Sequence, residues 1–116
     1  MNLDEAIAKH AEWKVKFRSA MERHETMDHA TICKDDACTL GKWLYSDGKT
    51  QCGSKPEFSF LVQKHKEFHA AAGRVAELIN ARNYGDAEKE LGFGTTYTLA
   101  SNAVGSAILK LKKAIA

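Results

Sequence analysis

His65 and His69, in "HKEFH", are four residues apart. On an α-helix that spacing sets both imidazoles on one face, close enough to share a metal ion. The face is apolar, shared with Leu61, Phe68 and Ala72. Burying two imidazoles there costs free energy unless each ring nitrogen finds a partner. A metal ion is one such partner; a backbone carbonyl or a water is the other. A third imidazole, His10, lies mid-stripe on the opening amphipathic segment, between Ile7 and Trp13. Cys38 begins a short predicted helix, "CTLGKWLY" (residues 38–45), and a helix N-terminus favours a thiolate. Three imidazole nitrogens and one thiolate sulfur make a tetrahedral set. That set suits zinc, whereas magnesium and calcium prefer oxygen.

The remaining chemistry-bearing residues read more simply. His24 and His29 straddle a predicted helix end and read as surface or loop histidines. Cys33 lies in a polar stretch and Cys52 beside Gly53, neither with a ligand partner at useful spacing. Oxidation could pair Cys33 with Cys38, in competition with the metal. Glu12 and Glu67 fall off the apolar stripes and read as solvated. Four protein ligands close a zinc shell, so no position is left for substrate and an enzyme is not expected. No glycine-rich phosphate loop and no nucleophile–base pair accompanies the histidines.

The elements that must position these residues follow from helical periodicity. Residues 3–24 carry Leu3, Ile7, His10, Trp13, Phe17, Ala20, Met21 and His24 on one stripe, with Asn2 and Glu5 in capping-box positions. Residues 25–37 read as a polar connection, with Asp35 or Asp36 capping the short helix that follows. "TQCGSKP" reads as a loop, and 57–80 as a second long helix. After the turn "NARNYG", with Asp86 as cap, residues 87–115 read as a last helix rich in glycine, alanine and serine. Its glycines predict a close helix approach or a bend near Gly92–Gly94. The expected fold is all-α: an antiparallel four-helix bundle with a short extra helix carrying Cys-x-Leu-Gly-x-Trp.

A length of 116 residues predicts a single domain, 1–116. The net charge of +2 comes without a basic stripe interleaved with aromatics, so nucleic acid is not an expected partner. No apolar run reaches the ~18 residues of a membrane span. "MNLDEAIAKH" is unlike a signal peptide, which points to the cytoplasm, and there three cysteines should stay reduced.

"HAEW" (10–13), "CTLGKW" (38–43) and "HKEFH" (65–69) occur in that order. In these three motifs the chain resembles the chemoreceptor zinc-binding (CZB) domain family across roughly residues 3–112. The resemblance implies zinc ligands at His10, Cys38, His65 and His69, the quartet that the spacing also proposes. Trp13, Leu40, Gly41 and Trp43 would pack around them. It further implies a helical bundle, usually a homodimer, that works with chemoreceptor signalling regions or diguanylate cyclases. Members of the family sense zinc or hypochlorous acid-type oxidants, with Cys38 as the redox-sensing residue. No coiled coil or catalytic domain accompanies these motifs, so a stand-alone member and a piece of a longer chain are both compatible. Rival readings are a hemerythrin-like di-iron oxygen-binding bundle, using His24 and Asp28 as well, a metal-free interaction bundle, and a zinc enzyme.

Overall fold

The computed structural model describes residues 1–116, and every element is helical. The centrepiece is α6 (Pro56–Asn80), opened by a proline whose fixed φ suits a first helical turn. Its stripe Phe58, Leu61, His65, Phe68, His69, Ala72, Val75, Ala76 and Ile79 is buried along its length, and Val62 is half-buried. Spacings of three and four keep those residues on one face, which is why the periodicity alone locates the helix.

Residues 3–24 form a rod of two helices, α1 (Leu3–Ala11) and α2 (Trp13–Arg23). Asn2 caps it, its side chain accepting from the Glu5 N–H at 3.0 Å. The interruption at Glu12 follows closely on His10, whose Nδ1 takes the Ala6 carbonyl. A side chain that competes for an i−4 carbonyl disturbs the helical ladder. α2 closes at His24 in the left-handed region, φ 54°.

The middle of the chain holds more helix than its sequence predicts. α3 (His29–Ile32) lies inside the expected polar connection. Asp28 caps it, bonding the Thr31 N–H at 3.3 Å and the Thr31 hydroxyl at 2.7 Å. α4 (Thr39–Leu44) is the expected short helix, but its cap is Cys38 rather than Asp35 or Asp36. α5 (Asp47–Cys52) replaces part of the expected loop. Tertiary packing forms it: Gly48 lies so close under the Trp43 ring that a Cβ there would sit 2.7 Å from it. The buried Cys52 thiol donates to the Gly48 carbonyl at 3.2 Å.

The final segment is two helices, α7 (Tyr84–Glu90) and α8 (Thr96–Ile115). The break falls at the expected glycines, with Gly94 at φ +76°, a conformation that L side chains rarely adopt. Asn83, not Asp86, precedes α7, and Thr95 caps α8 through the Thr98 N–H. α8 packs on α6 and α1, α2 and α3 pack on α6, and α7 bridges α6 and α8. Tyr97, Val104, Ala107, Ile108 and Leu111 supply the buried side of α8. No helix is long and apolar enough to cross a membrane.

Candidate metal centre

His10 from α1, Cys38 from the start of α4, and His65 and His69 from α6 meet at one point. Their donor atoms all lie within 4.8 Å of one another. His65 Nε2 is 3.1 Å from His69 Nε2 and 3.2 Å from His10 Nε2. Cys38 Sγ is 3.3 Å from His65 Nε2 and 3.6 Å from His69 Nε2.

The hydrogen bonds behind the rings fix which nitrogen faces inward. His10 Nδ1–H donates to the Ala6 carbonyl at 2.8 Å, and His69 Nδ1–H to the Ile32 carbonyl at 2.9 Å. Both rings therefore turn an unprotonated Nε2 into the cluster. Backbone carbonyls behind ligand histidines are the usual means of fixing tautomer and ring orientation at a metal. His65 differs: its Nδ1 is buried with no hydrogen-bond partner. If His65 Nε2 carried the proton, it could serve only one of the two facing lone pairs.

A cation resolves the crowding. With zinc radii from ordinary sites, a tetrahedron has edges of about 3.3–3.4 Å between nitrogens and about 3.6 Å between nitrogen and sulfur. The four short separations, 3.1 and 3.2 Å between nitrogens and 3.3 and 3.6 Å between nitrogen and sulfur, lie at those edges or slightly inside them. The donor set, three imidazoles and one thiol, suits zinc, and no carboxylate belongs to the group.

The electrostatics agree with neutral imidazoles. Burial pushes His65 down to about 3, helped by the neighbouring His69 and His10. Burial also lowers His10, against the Ala6 hydrogen bond, and lowers His69, against the Ile32 hydrogen bond and the Asp35 charge. At neutral pH all three rings offer lone pairs. For Cys38, burial raises the thiol above its ordinary value and outweighs the backbone N–H groups of Gly41 and Leu40. The helix start thus does not by itself make a thiolate, contrary to the expectation from sequence; a cation at the cluster would favour one.

Cys38 is held by a loop folded back on α4. The Gly41 N–H donates to Cys38 Sγ at 3.3 Å. A Cβ on Gly41 would lie 1.7 Å from the Asp35 carbonyl oxygen, so only glycine admits that backbone approach. The Tyr45 hydroxyl donates to the Asp35 carboxylate, which pushes the Tyr45 hydroxyl up to about 12. Leu40 is buried, while Trp43 and Trp13 are half-buried. The Trp43 ring meets Phe58 at 6.3 Å, and the Trp13 ring meets Phe17 at 5.6 Å.

The other candidates lie outside the cluster. His24 is exposed and stacks on Tyr84 with ring centroids 5.1 Å apart. His29 pairs with Glu77 at 2.9 Å, and the Asp28 carboxylate is engaged by Thr31. Cys33 is exposed and Cys52 buried, and neither belongs to the cluster.

Sequence reasoning does not find the groups behind the clustered histidines. The Ile32 carbonyl sits on a helix that no periodicity announces. α3 is held there by two contacts. Asn80 clamps Met27, accepting from its N–H at 2.7 Å and donating to its carbonyl at 2.9 Å. Gly73 of α6 lets Cys33 approach so closely that a Cβ would be 2.6 Å from the Cys33 Cβ. A glycine inside a long helix was the one available hint.

The profile of the chemoreceptor zinc-binding domain family matches residues 10–76, a stretch that runs from the first clustered histidine past the last. No curated protein and no solved structure matches the chain. The match covers more than half of the 116 residues, and it coincides with a His/Cys cluster suited to zinc. The chain belongs to the chemoreceptor zinc-binding domain family and is a zinc-binding protein.

Proposed function

We propose that His10, Cys38, His65 and His69 are the zinc ligands, and that the centre regulates rather than catalyses. The observation that carries this reading is the convergence of four donor atoms within 4.8 Å, from three helices far apart in sequence. Bound zinc would supply a closed, structural coordination shell, with no position left for an activated water. The residues would act as a mechanical tie. His10 holds α1, His65 and His69 hold α6, and Cys38 holds the start of α4. Through the Ile32 carbonyl, His69 also reaches α3. Deprotonated Cys38 and neutral imidazoles are the binding-competent forms, so occupancy couples directly to the arrangement of these helices.

Two inputs fit this tie. One is zinc availability. The other is oxidation of Cys38, which is only half-buried while the histidines are buried. A thiolate and hypochlorous acid give sulfenic acid and chloride, the sulfur losing two electrons to the chlorine. A sulfenic acid is a poorer ligand, so α4 would lose its hold on the cluster. The family match supports an output to chemoreceptor signalling, and a diguanylate cyclase partner and a homodimer belong to the same reading. We place the chain in the cytoplasm as one domain over 1–116, arranged as an antiparallel four-helix bundle. A single cluster of buried residues from Leu3 to Leu111 supports the one-domain reading.

Metal analysis of purified wild type beside Cys38→Ala and His65→Ala tests the ligand set. Wild type should hold one zinc per chain and both variants much less. Variants that retain full zinc would refute it. Hypochlorite should lower zinc content and loosen residues 38–45 in wild type; unchanged zinc and unchanged amide protection would remove the redox input.

A further inference from the structure

The four clustered residues differ in how solvent reaches them. A cavity of about 300 Å³ opens between α1 and residues 37–40. His10 and Cys38 both line it, with Trp13, Ala37 and Leu40 beside them. One water needs only ~10–15 Å³ of such space, so hydrated ions and small molecules can enter. His65 and His69 do not line the cavity and are 0% and 2% exposed. Two other surface cavities, of about 470 and 310 Å³, touch none of the four.

We propose that this cavity is the passage by which zinc ions and small thiol-directed reagents reach the centre and leave it. Cys38 and His10 are the donors engaged first on entry and released first on exit. The inference rests on the reading of the quartet as zinc ligands. The wall chemistry suits a passage rather than a second binding site. Glu5 and Glu12 are offset by Lys9 and Lys16 around the same opening, which Met1 also lines, so no net negative charge holds a cation there. Lys16 is drawn over the Trp13 ring, its ammonium 4.6 Å from the centroid, which makes Trp13 a fixed side of the mouth. On the far side, His65 and His69 are tied into the core of α6, and His69 is also tied to Ile32. An exchange that began with either would have to open the core first.

Zinc transfer from the loaded full chain to excess 4-(2-pyridylazo)resorcinol, followed by absorbance, tests this. The variants are Ala37→Trp and Thr39→Trp, which narrow the mouth, and Trp13→Ala, which widens it. The narrowed variants should still carry one zinc but release it at least about tenfold more slowly, a barrier about 1.4 kcal/mol higher. Trp13→Ala should release it faster. A second measurement uses zinc-loaded wild type alone, so it depends neither on the variants folding nor on the order lost with the metal. Iodoacetamide should alkylate the zinc-bound Cys38 thiolate, whereas a polymer-linked maleimide should label exposed Cys33 and largely spare Cys38, as read by peptide mapping. Equal release rates in zinc-loaded variants, or equal labelling of Cys33 and Cys38 by the bulky reagent, would overturn the passage and leave the ligand set standing. A wild type that binds no zinc would overturn the ligand set and the passage with it.

Discussion

α6 and the stretch from α3 to α5 both deliver parts of the centre, and they are ordered by different means. α6 is 25 residues long and buries eleven of them, from Phe58 to Ile79. Its order comes from the core, and His65 and His69 ride on it. The stretch 28–53 has three helices of four to six residues each, too short to be stable alone. It adds only four residues to the core, Ile32, Leu40, Leu44 and Cys52, and is otherwise held by caps and glycine contacts. On the proposed zinc tie, the cluster would matter most where apolar burial is weakest. Loss of the metal should therefore act on α3–α5 far more than on α6.

The largest expected effect comes from removing the tie. A strong chelator, or Cys38→Ala, should collapse amide protection over residues 28–53 while the middle of α6 stays protected. Structural zinc can be worth on the order of 10 kcal/mol, so this loss should also lower the thermal midpoint markedly. Uniform loss across α6 would break the comparison, and so would no loss in 28–53.

Two glycine substitutions sharpen it. Gly41→Ala drives a methyl into the Asp35 carbonyl, a rigid backbone atom at 1.7 Å. It should destabilise the protein by about 3 kcal/mol or more and weaken zinc binding, since the Gly41 N–H is the one on Cys38 Sγ. Gly73→Ala meets the Cys33 Cβ at 2.6 Å. It should cost about 1–2 kcal/mol, shift α3 and lengthen the His69–Ile32 hydrogen bond. Denaturant titration and zinc competition read both. A Gly73→Ala protein with wild-type stability and zinc affinity would detach α3 from the account.

Acid offers a graded version of the same contrast. Three buried imidazoles with lowered pKa values remain neutral in the folded, metal-free protein, whereas the unfolded chain takes up protons near pH 6.5. The unfolded state then binds more protons, so stability is full above pH 6.5 and falls as pH drops below it, toward the His65 value of about 3. Replacing His65 by Phe should flatten that slope; an unaltered slope would place the proton uptake elsewhere. The smallest effect is expected at the surface pair of Lys112 and Asp4, 2.8 Å apart and exposed. Asp4→Asn should change stability by less than about 1 kcal/mol and leave zinc binding alone.

What the sequence displays follows the same division. The stripe of α6 and the i, i+4 spacing of His65 and His69 are periodic, and periodicity survives in a bare sequence. The Asn2 cap and the glycines at the α7–α8 break are local chemistry, equally readable. α5 escapes notice because "DGKTQC" has no helical pattern of its own; Trp43 lying over Gly48 creates it. α3 escapes because its single turn depends on Asp28, Asn80 and Gly73, the last two some fifty and forty residues away. Backbone carbonyls such as Ile32 leave no trace in side-chain identity, so the groups that orient the clustered histidines emerge only in three dimensions.

The central claim is that one sulfur and three imidazoles share one zinc. X-ray absorption at the zinc edge tests it on the purified protein. The account predicts one sulfur at about 2.3 Å and three nitrogens at about 2.0–2.1 Å, with the sulfur shell absent in Cys38→Ser. A shell of oxygens, or a sulfur shell that persists in Cys38→Ser, would contradict it.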